Sequence, residues 1–196
     1  MSRFTLFVVL AATAASVGTA CAQTPVLTPP PPCPKALGIV DRTLQAPLIF
    51  LPADPANPEA CPIRTRGGVG EFWYGAWKTD WPGADQARAA LRQVWTAAPG
   101  SALATARFDT VVQPGYSWHE TIRNDGFEAI NLAGAIRSTM KVTHEREGFD
   151  GNSYHSVITL WKDTDTGMTV YTNYIHLAGA PEPGVAWDPL AIIGGK

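Results

Sequence analysis

The sequence YHSVITLWKDTDTGMTVYTNYIHL, residues 154–177, carries the clearest pattern in this chain of 196 residues. Its two arms, Tyr154 to Lys162 and Met168 to Leu177, are rich in the β-branched and aromatic residues that favour strands. Between the arms, Asp163 to Gly167 consists of residue types that favour a turn. The stretch therefore predicts a β-hairpin and, with it, an antiparallel sheet.

Strand patterns separated by turn residues continue upstream of this hairpin. They are Ala104 to Val112, Tyr116 to Arg123, Phe127 to Leu132 and Ile136 to Glu145. Turns are predicted at Gln113-Pro114-Gly115, at Asn124-Asp125-Gly126 and near Gly134, while Pro181 to Lys196 is a tail rich in proline and glycine. We expect an antiparallel meander of about five to seven strands.

One helix is predicted between Asp80-Trp81-Pro82, which suits a helix start, and Pro99-Gly100, which ends it. Its apolar positions repeat every three or four residues: Ala84, Ala87, Leu91, Val94, Trp95 and Ala98. Such a stripe is typical of an amphipathic helix packed on a sheet, so the expected fold class is α+β. Arg88 and Arg92 lie one turn apart on the other side, where a solvated face is the first interpretation and a clamp for a carboxylate or phosphate the alternative.

Aromatic residues crowd the segment Gly70 to Trp81, which we interpret as a strand. Alternation would place Trp73 and Trp77 on one face and Phe72 and Tyr74 on the other. The preferred interpretation is that these rings are buried in the core. The alternative is an exposed platform of Trp73, Trp77 and Trp81 that stacks on sugar rings.

The cysteines predict a Cys33 to Cys61 disulfide, because removal or lipidation of Cys21 leaves this pair alone in an oxidising compartment. Between the two cysteines lie Pro47, Pro52, Pro55 and Pro58, which exclude a long helix or a central strand there. Only Leu37 to Val40 and Leu48 to Leu51 suit short strands. We expect this disulfide-pinned segment to wrap an edge of the sheet.

The N-terminus predicts export. Arg3 precedes an uncharged apolar run, and Ala20-Cys21-Ala22 fits a signal peptidase site, so residues 1–22 are interpreted as a signal peptide with Gln23 as the mature start. The alternative is a lipid anchor on Cys21, although Gly18 stands where lipoprotein signals usually have Leu. Residues 23–36 form a proline-rich linker, and residues 37–196 form a single domain.

Composition narrows the choice of partners. A net charge of -2 and a pI near 6.1 give no electrostatic reason to bind nucleic acid. No later stretch suits a membrane span, and no glycine-rich loop of the phosphate-binding type occurs, so no cofactor is predicted.

The candidate catalytic residues are the four histidines of the predicted sheet, with two carboxylates near them in sequence. They are His119, His144, His155, His176, Glu120 and Glu147. A metal site is not predicted, because neighbouring residues of a strand point to opposite faces and the chain lacks H-E-x-x-H and H-x-H motifs.

These observations lead to three hypotheses on function. The first is an exported, non-enzymatic binding or inhibitory protein that engages a protein or a component of the cell envelope, in the periplasm or outside the cell. The second is a hydrolase of an envelope or extracellular substrate that uses the histidines of the sheet. The third is a glycan-binding module built on the aromatic residues between Trp73 and Trp81.

Overall fold

The computed structural model describes residues 28–35, 38–41, 48–65, 67–180 and 189–193. The predicted signal peptide and Cys21 lie outside the described residues. Within them, no helix has the length and apolar character that a membrane crossing requires.

The described residues form eleven strands, one α-helix and one short 3₁₀ helix. The strands of the first half of the chain are β1 Gly38–Asp41, β2 Leu48–Phe50, β3 Ala60–Thr65, β4 Gly68–Trp73 and β5 Trp77–Lys78. Helix α1 Ala84–Thr96 and the 3₁₀ helix Ala102–Ala104 follow. The remaining strands are β6 Thr105–Gln113, β7 Tyr116–Leu132, β8 Ala135–Phe149, β9 His155–Asp163, β10 Thr169–Ala178 and β11 Pro189–Ile193. This mostly β architecture with one helix agrees with the predicted α+β class.

The strands form two antiparallel sheets, not the single sheet that the sequence predicted. The first sheet has the order β11-β1-β2-β3-β4-β5, and the second has the order β10-β9-β8-β7-β6. The difference arises because the cystine-bridged segment contributes strands of its own, which pair with each other and with the β4–β5 hairpin. The predicted hairpin of residues 154–177 is confirmed as β9 and β10.

Strand β7 runs through Asn124-Asp125-Gly126, so the turn predicted there is wrong. The chain forms a bulge instead, with Gly126 at a φ of 102° and the register against β8 shifted between Asn124 and Gly126. The Asn124 amide donates hydrogen bonds to the carbonyl oxygens of Val94 and Ala97 at 3.1 and 3.2 Å, where helix α1 ends. A contact with a distant element therefore overrides the local turn preference.

The main core lies between helix α1, the β4–β5 hairpin and one face of the second sheet. We call this face the inner face. The helix contributes Ala87, Ala90, Leu91, Val94 and Trp95, and the sheet contributes Ala106, Ile122, Met140 and Val142. A second, smaller core joins the first sheet to the far end of the second through Leu48, Phe50, Ile63, Leu132, Met168 and Val170.

The aromatic segment forms a hairpin, not the continuous strand predicted over Gly70 to Trp81. Tyr74 and Gly75 adopt positive φ values of 55° and 61°, which reverse the chain, and Trp73 pairs with Trp77 across the hairpin. Both indole rings are buried, with exposed fractions of 8% and 6%. The described residues therefore present no row of exposed tryptophans at this place.

The predicted disulfide between Cys33 and Cys61 is present. The described part of the proline-rich segment, residues 28–35, lies against the domain. The carbonyl of Pro30 accepts a hydrogen bond from Trp95 Nε1 at 2.8 Å, and the Lys35 amide donates to the carbonyl of Thr166 at 2.8 Å. This segment thus contacts both the helix and the β9–β10 turn, whereas the sequence predicted a linker.

Candidate functional site

The four histidines do not converge on one pocket. His144 lies on the inner face of the second sheet, whereas His119 and His155 lie on the opposite face, which we call the outer face. His176 is on the edge strand β10, where its Nε2 lies 3.0 Å from the carbonyl oxygen of Gly179. Three of the four imidazoles are hydrogen-bonded to a carboxylate, each to a different one.

On the inner face, His144 Nε2 lies 2.7 Å from Glu120 Oε2. Arg146 approaches the same carboxylate, with its Nε 3.3 Å from Glu120 Oε1. Burial alone would raise the pKa of Glu120, but the hydrogen bond and charge of His144, together with the charge of Arg146, bring that pKa below its ordinary value. Glu120 therefore remains a buried anion that orients the His144 ring.

Aromatic rings surround this cluster. The guanidinium of Arg146 lies 5.2 Å from the ring of Trp118 and 5.8 Å from the ring of Trp77, within the range of cation–π attraction. The Trp77 ring also lies 4.9 Å from the His144 ring. The ion pairs therefore lie packed among aromatic rings of the hairpin and the sheet.

A cavity of about 60 Å³ opens beside His144. It is lined by Ala76, Trp77, Leu91, Ile122, Val142, His144, Ile158 and Leu160. The lining is apolar apart from the imidazole and the indole N–H. Because typical small-molecule sites measure roughly 300 Å³ or more, this cavity holds a few water molecules or one small group.

The outer face carries a row of polar residues across three strands. Glu147 on β8 stands opposite His119 on β7 and opposite His155 on β9. Each histidine instead bonds another carboxylate: His119 pairs with Asp109 and His155 with Glu145, both at 2.8 Å. No three His, Cys, Asp or Glu side chains converge as metal ligands within the described part of the chain.

The two arginines of helix α1 hold a carboxylate, but it belongs to the protein itself. Glu59, two residues before Cys61, accepts hydrogen bonds from Arg88 Nε at 2.9 Å and from both Arg92 Nε and Nη2, at 2.7 and 2.6 Å. The Tyr74 hydroxyl donates a further bond at 2.8 Å. The hydrogen bonds from Arg92 and Arg88 lower the pKa of Glu59 to about 2. The two arginines therefore do bind a carboxylate, as the alternative interpretation had it, and this contact links the cystine loop to the helix.

Sequence reasoning missed Lys162, which is fully buried on the inner face. Its ammonium donates hydrogen bonds to the Tyr74 carbonyl at 3.1 Å and to Thr169 Oγ1 at 2.9 Å, and no carboxylate of the described residues pairs with it. Desolvation lowers the pKa of Lys162 to about 7. No local signal distinguishes this lysine from an exposed one at the end of a strand.

Sequence reasoning also missed an exposed apolar patch on the outer face of β9 and β10. Tyr171, Ile175 and Leu177 are exposed by 44%, 46% and 53%. Beside them on β9, Val157 stands opposite Ile175, and the ring of Trp161 lies 4.9 Å from that of Tyr171. We call these five residues the β9–β10 patch. A signal was present in the sequence, because Thr169 to Ala178 contains no Asp, Glu, Lys or Arg.

In comparisons with known proteins, no family model, no curated protein and no solved structure matches the chain.

Proposed function

We propose that the chain is an exported, non-enzymatic binding or inhibitory protein that engages a protein or envelope component through the β9–β10 patch. The observation that carries this proposal is the exposure of Tyr171, Ile175 and Leu177 on one face of one strand. Large apolar side chains that are contiguous on a surface are typical of interaction sites. The dispersed histidines support a binding protein over a catalyst, since each imidazole has a local partner.

Export is supported by two features. The Cys33–Cys61 disulfide is of the kind that persists in oxidising compartments. The apolar N-terminal run with its small-residue site suits a cleaved leader, which would release the domain into the periplasm or the medium. A lipid on Cys21 would instead retain the same domain at a membrane surface.

The test uses the purified protein, immobilised and exposed to the cell-envelope fraction of its own organism. Leu177→Glu places a charge in the patch, whereas Val111→Glu places the same charge at an outer-face position on β6, the opposite edge strand, that is at least as exposed. We expect wild type and Val111→Glu to retain one and the same partner, identified by mass spectrometry, and Leu177→Glu to lose it. Equal retention by both variants would contradict the proposal.

The hydrolase alternative rests on one specific observation, the Glu120–His144 pair beside the cavity. A carboxylate that orients an imidazole is the arrangement of a general base. The cavity is small for an envelope polymer, however, and no Ser or Cys lines it. A hydrolase screen with wild type and His144→Gln tests this alternative, which requires an activity that the variant lacks.

The glycan-binding alternative is not proposed, because Trp73 and Trp77 are buried and Trp81 is the one exposed ring of the three.

A further inference from the structure

Strand β10 is the edge of the second sheet, and its outer edge has no partner among the described strands. It is 10 residues long, and between Tyr171 and His176 its register against β9 is regular. The register shifts at both ends of this stretch, and the six regular residues between the shifts offer free backbone N–H and C=O groups to another strand.

The two edges of the second sheet are protected differently. Strand β6, at the other edge, exposes the charged side chains Arg107 and Asp109 and is contacted by helix α1. Strand β10 has no Asp, Glu, Lys, Arg or Pro. Natural proteins usually block free edges with such residues or with bulges; the stretch from Tyr171 to His176, between the two register shifts of β10, has neither and is open to pairing with another strand.

We propose that β10 pairs antiparallel with β10 of a second copy of this chain, around a two-fold axis through Asn173. The two five-stranded sheets would then form one continuous sheet of ten strands. A second copy suits this edge because it brings a strand of the same length that also lacks charge, so no like charges meet. A two-fold contact of this kind is isologous and closes at the dimer.

The register follows from the faces of the strand and from side-chain pairing. Tyr171, Asn173 and Ile175 point to the outer face, so a pairing that keeps the outer faces together must set odd-numbered residues opposite odd-numbered ones. With Asn173 at the axis, Tyr171 stands opposite Ile175 of the partner subunit, and this pair occurs twice. Aromatic residues opposite β-branched residues are favourable cross-strand pairs.

This dimer goes beyond the proposed function and does not depend on it. Pairing through the backbone edge leaves the outer faces open, so two β9–β10 patches would lie side by side in the middle of one sheet. Whether a foreign partner then binds is a separate question, which the envelope-fraction experiment answers.

The experiment is sedimentation equilibrium of the purified protein and of three variants. We expect a dimer for wild type and for the control Val111→Lys on β6. Ile175→Lys and Tyr171→Glu each place a charge opposite an apolar side chain, so each should weaken the dimer by roughly tenfold or more. Mixed in equal amounts, these two variants should recover a dimer, because the new lysine of one chain then faces the new glutamate of the other.

Three outcomes would overturn the proposal: a monomeric wild type, a dimer that Val111→Lys breaks while Ile175→Lys does not, or a mixture that fails to recover although both variants are folded. Far-ultraviolet circular dichroism and the intact Cys33–Cys61 bond report folding in each case. A monomer that still retains an envelope partner through Leu177 would contradict the dimer and leave the binding function standing.

Discussion

Lys162 shows most clearly how the burial of a charged group destabilises the folded state. Its ammonium lies between the two sheets, bonded to the Tyr74 carbonyl and to Thr169, and 5.8 Å from the ring of Trp95. The neutral amine can keep at least one of these hydrogen bonds without the desolvation penalty of the charged form. The protonation of this one group therefore affects the stability of the whole fold.

We predict that the protein becomes more stable as the pH rises from about 7 to 9.5. The pKa of Lys162 is about 7 in the folded protein and near 10.5 in the unfolded chain, so the unfolded state binds more protons in this interval. The free energy of unfolding should rise by up to about 1.4 kcal/mol per pH unit. Urea unfolding at several pH values measures this slope.

Lys162→Met is the matching variant, because it keeps the volume and removes the charge. It should be more stable than wild type at pH 7, and its free energy of unfolding should not rise between pH 7 and 9.5. Lys78→Met, at an exposed lysine paired with Asp80, should keep the slope. Measurements stay below pH 10, because burial and the hydrogen bond with Glu59 raise the pKa of Tyr74. At higher pH the unfolded chain loses the Tyr74 proton first, so stability then falls as the pH rises.

Glu59 also makes the protein more stable as the pH rises, but it does so in the acid range. Its pKa is about 2 in the folded protein, against an ordinary value of 4.5, so its contribution is complete above about pH 4.5 and is lost as the pH falls toward 2. Glu59→Gln should lower the free energy of unfolding at pH 7 by about 1 to 3 kcal/mol. It should also make that free energy less dependent on pH between about 2 and 4.5. Thermal unfolding between pH 2 and 7 tests this, with the exposed Glu71→Gln as control; equal losses in both variants would contradict it.

The residue types at the candidate sites were predictable, but their partners were not. For Arg88 and Arg92 a solvated face was the first interpretation and a clamp for a carboxylate or phosphate the alternative, because their partner Glu59 lies 29 and 33 residues away in sequence. His144 and Glu120 were both candidates, and their meeting depends on the diagonal register of β7 and β8. Such pairings are set by tertiary contacts, which one sequence does not reveal.

At the scale of elements, the junction between helix α1 and strand β7 decides how the second sheet is built. Asn124 caps the helix end through Val94 and Ala97 and shapes the bulge by accepting a hydrogen bond from the Gly126 amide at 2.9 Å. One side chain thus positions the helix on the sheet and allows β7 to continue for 17 residues.

We predict that Asn124→Ala destabilises the protein by about 2 to 4 kcal/mol, because it leaves buried helix carbonyls and the Gly126 amide without partners. Asn131→Ala is the control, since Asn131 makes a comparable bond to the Gly134 amide in an exposed turn. Urea unfolding of both variants gives the comparison. A loss below 1 kcal/mol in Asn124→Ala would show that water replaces these bonds.

Elements with a strong local pattern were predicted well, and those that depend on distant contacts were not. The hairpin of β9 and β10 agrees with its alternation and its turn residues. The Asn-Asp-Gly sequence at 124–126 also has the composition of a turn, but the helix end takes the Asn124 side chain. The Trp73 to Trp77 segment reverses at Tyr74, a residue type that rarely adopts positive φ.

At the scale of the whole molecule, the disulfide joins the two sheets through the N-terminal segment. Cys33 is bonded to Cys61 of β3, while Pro30 and Lys35 on either side of it contact Trp95 and Thr166. The single-sheet prediction was wrong here because it placed the cystine-bridged segment at a sheet edge, whereas this segment contributes β1, β2 and the start of β3 to a sheet of its own.

We predict that replacing Cys33 and Cys61 by Ser costs roughly 3 to 4 kcal/mol, the chain-entropy value for a loop of this length. The sequence separation of the two cysteines is 28 residues. The Trp95 environment should change as well, because the Pro30 carbonyl that accepts the indole hydrogen bond is then held less firmly. Denaturant unfolding gives the free energy, and tryptophan fluorescence under native conditions reports the local change. An unchanged midpoint would mean that packing of residues 28–35 suffices without the bond.

The pairing of β1 with β11 brings Gly38 opposite Ile193, almost the full length of the chain apart. A ribosome makes Gly38 long before Ile193, so β1 gains β11 as its second neighbour only after residues 189–193 have been synthesised. Without residues 189–193, β1 would be the open edge of the first sheet. The strands of the second sheet, β6 to β10, all precede β11 in the chain, so the first sheet, although it begins earlier in the sequence, is the later of the two to have all its strands synthesised.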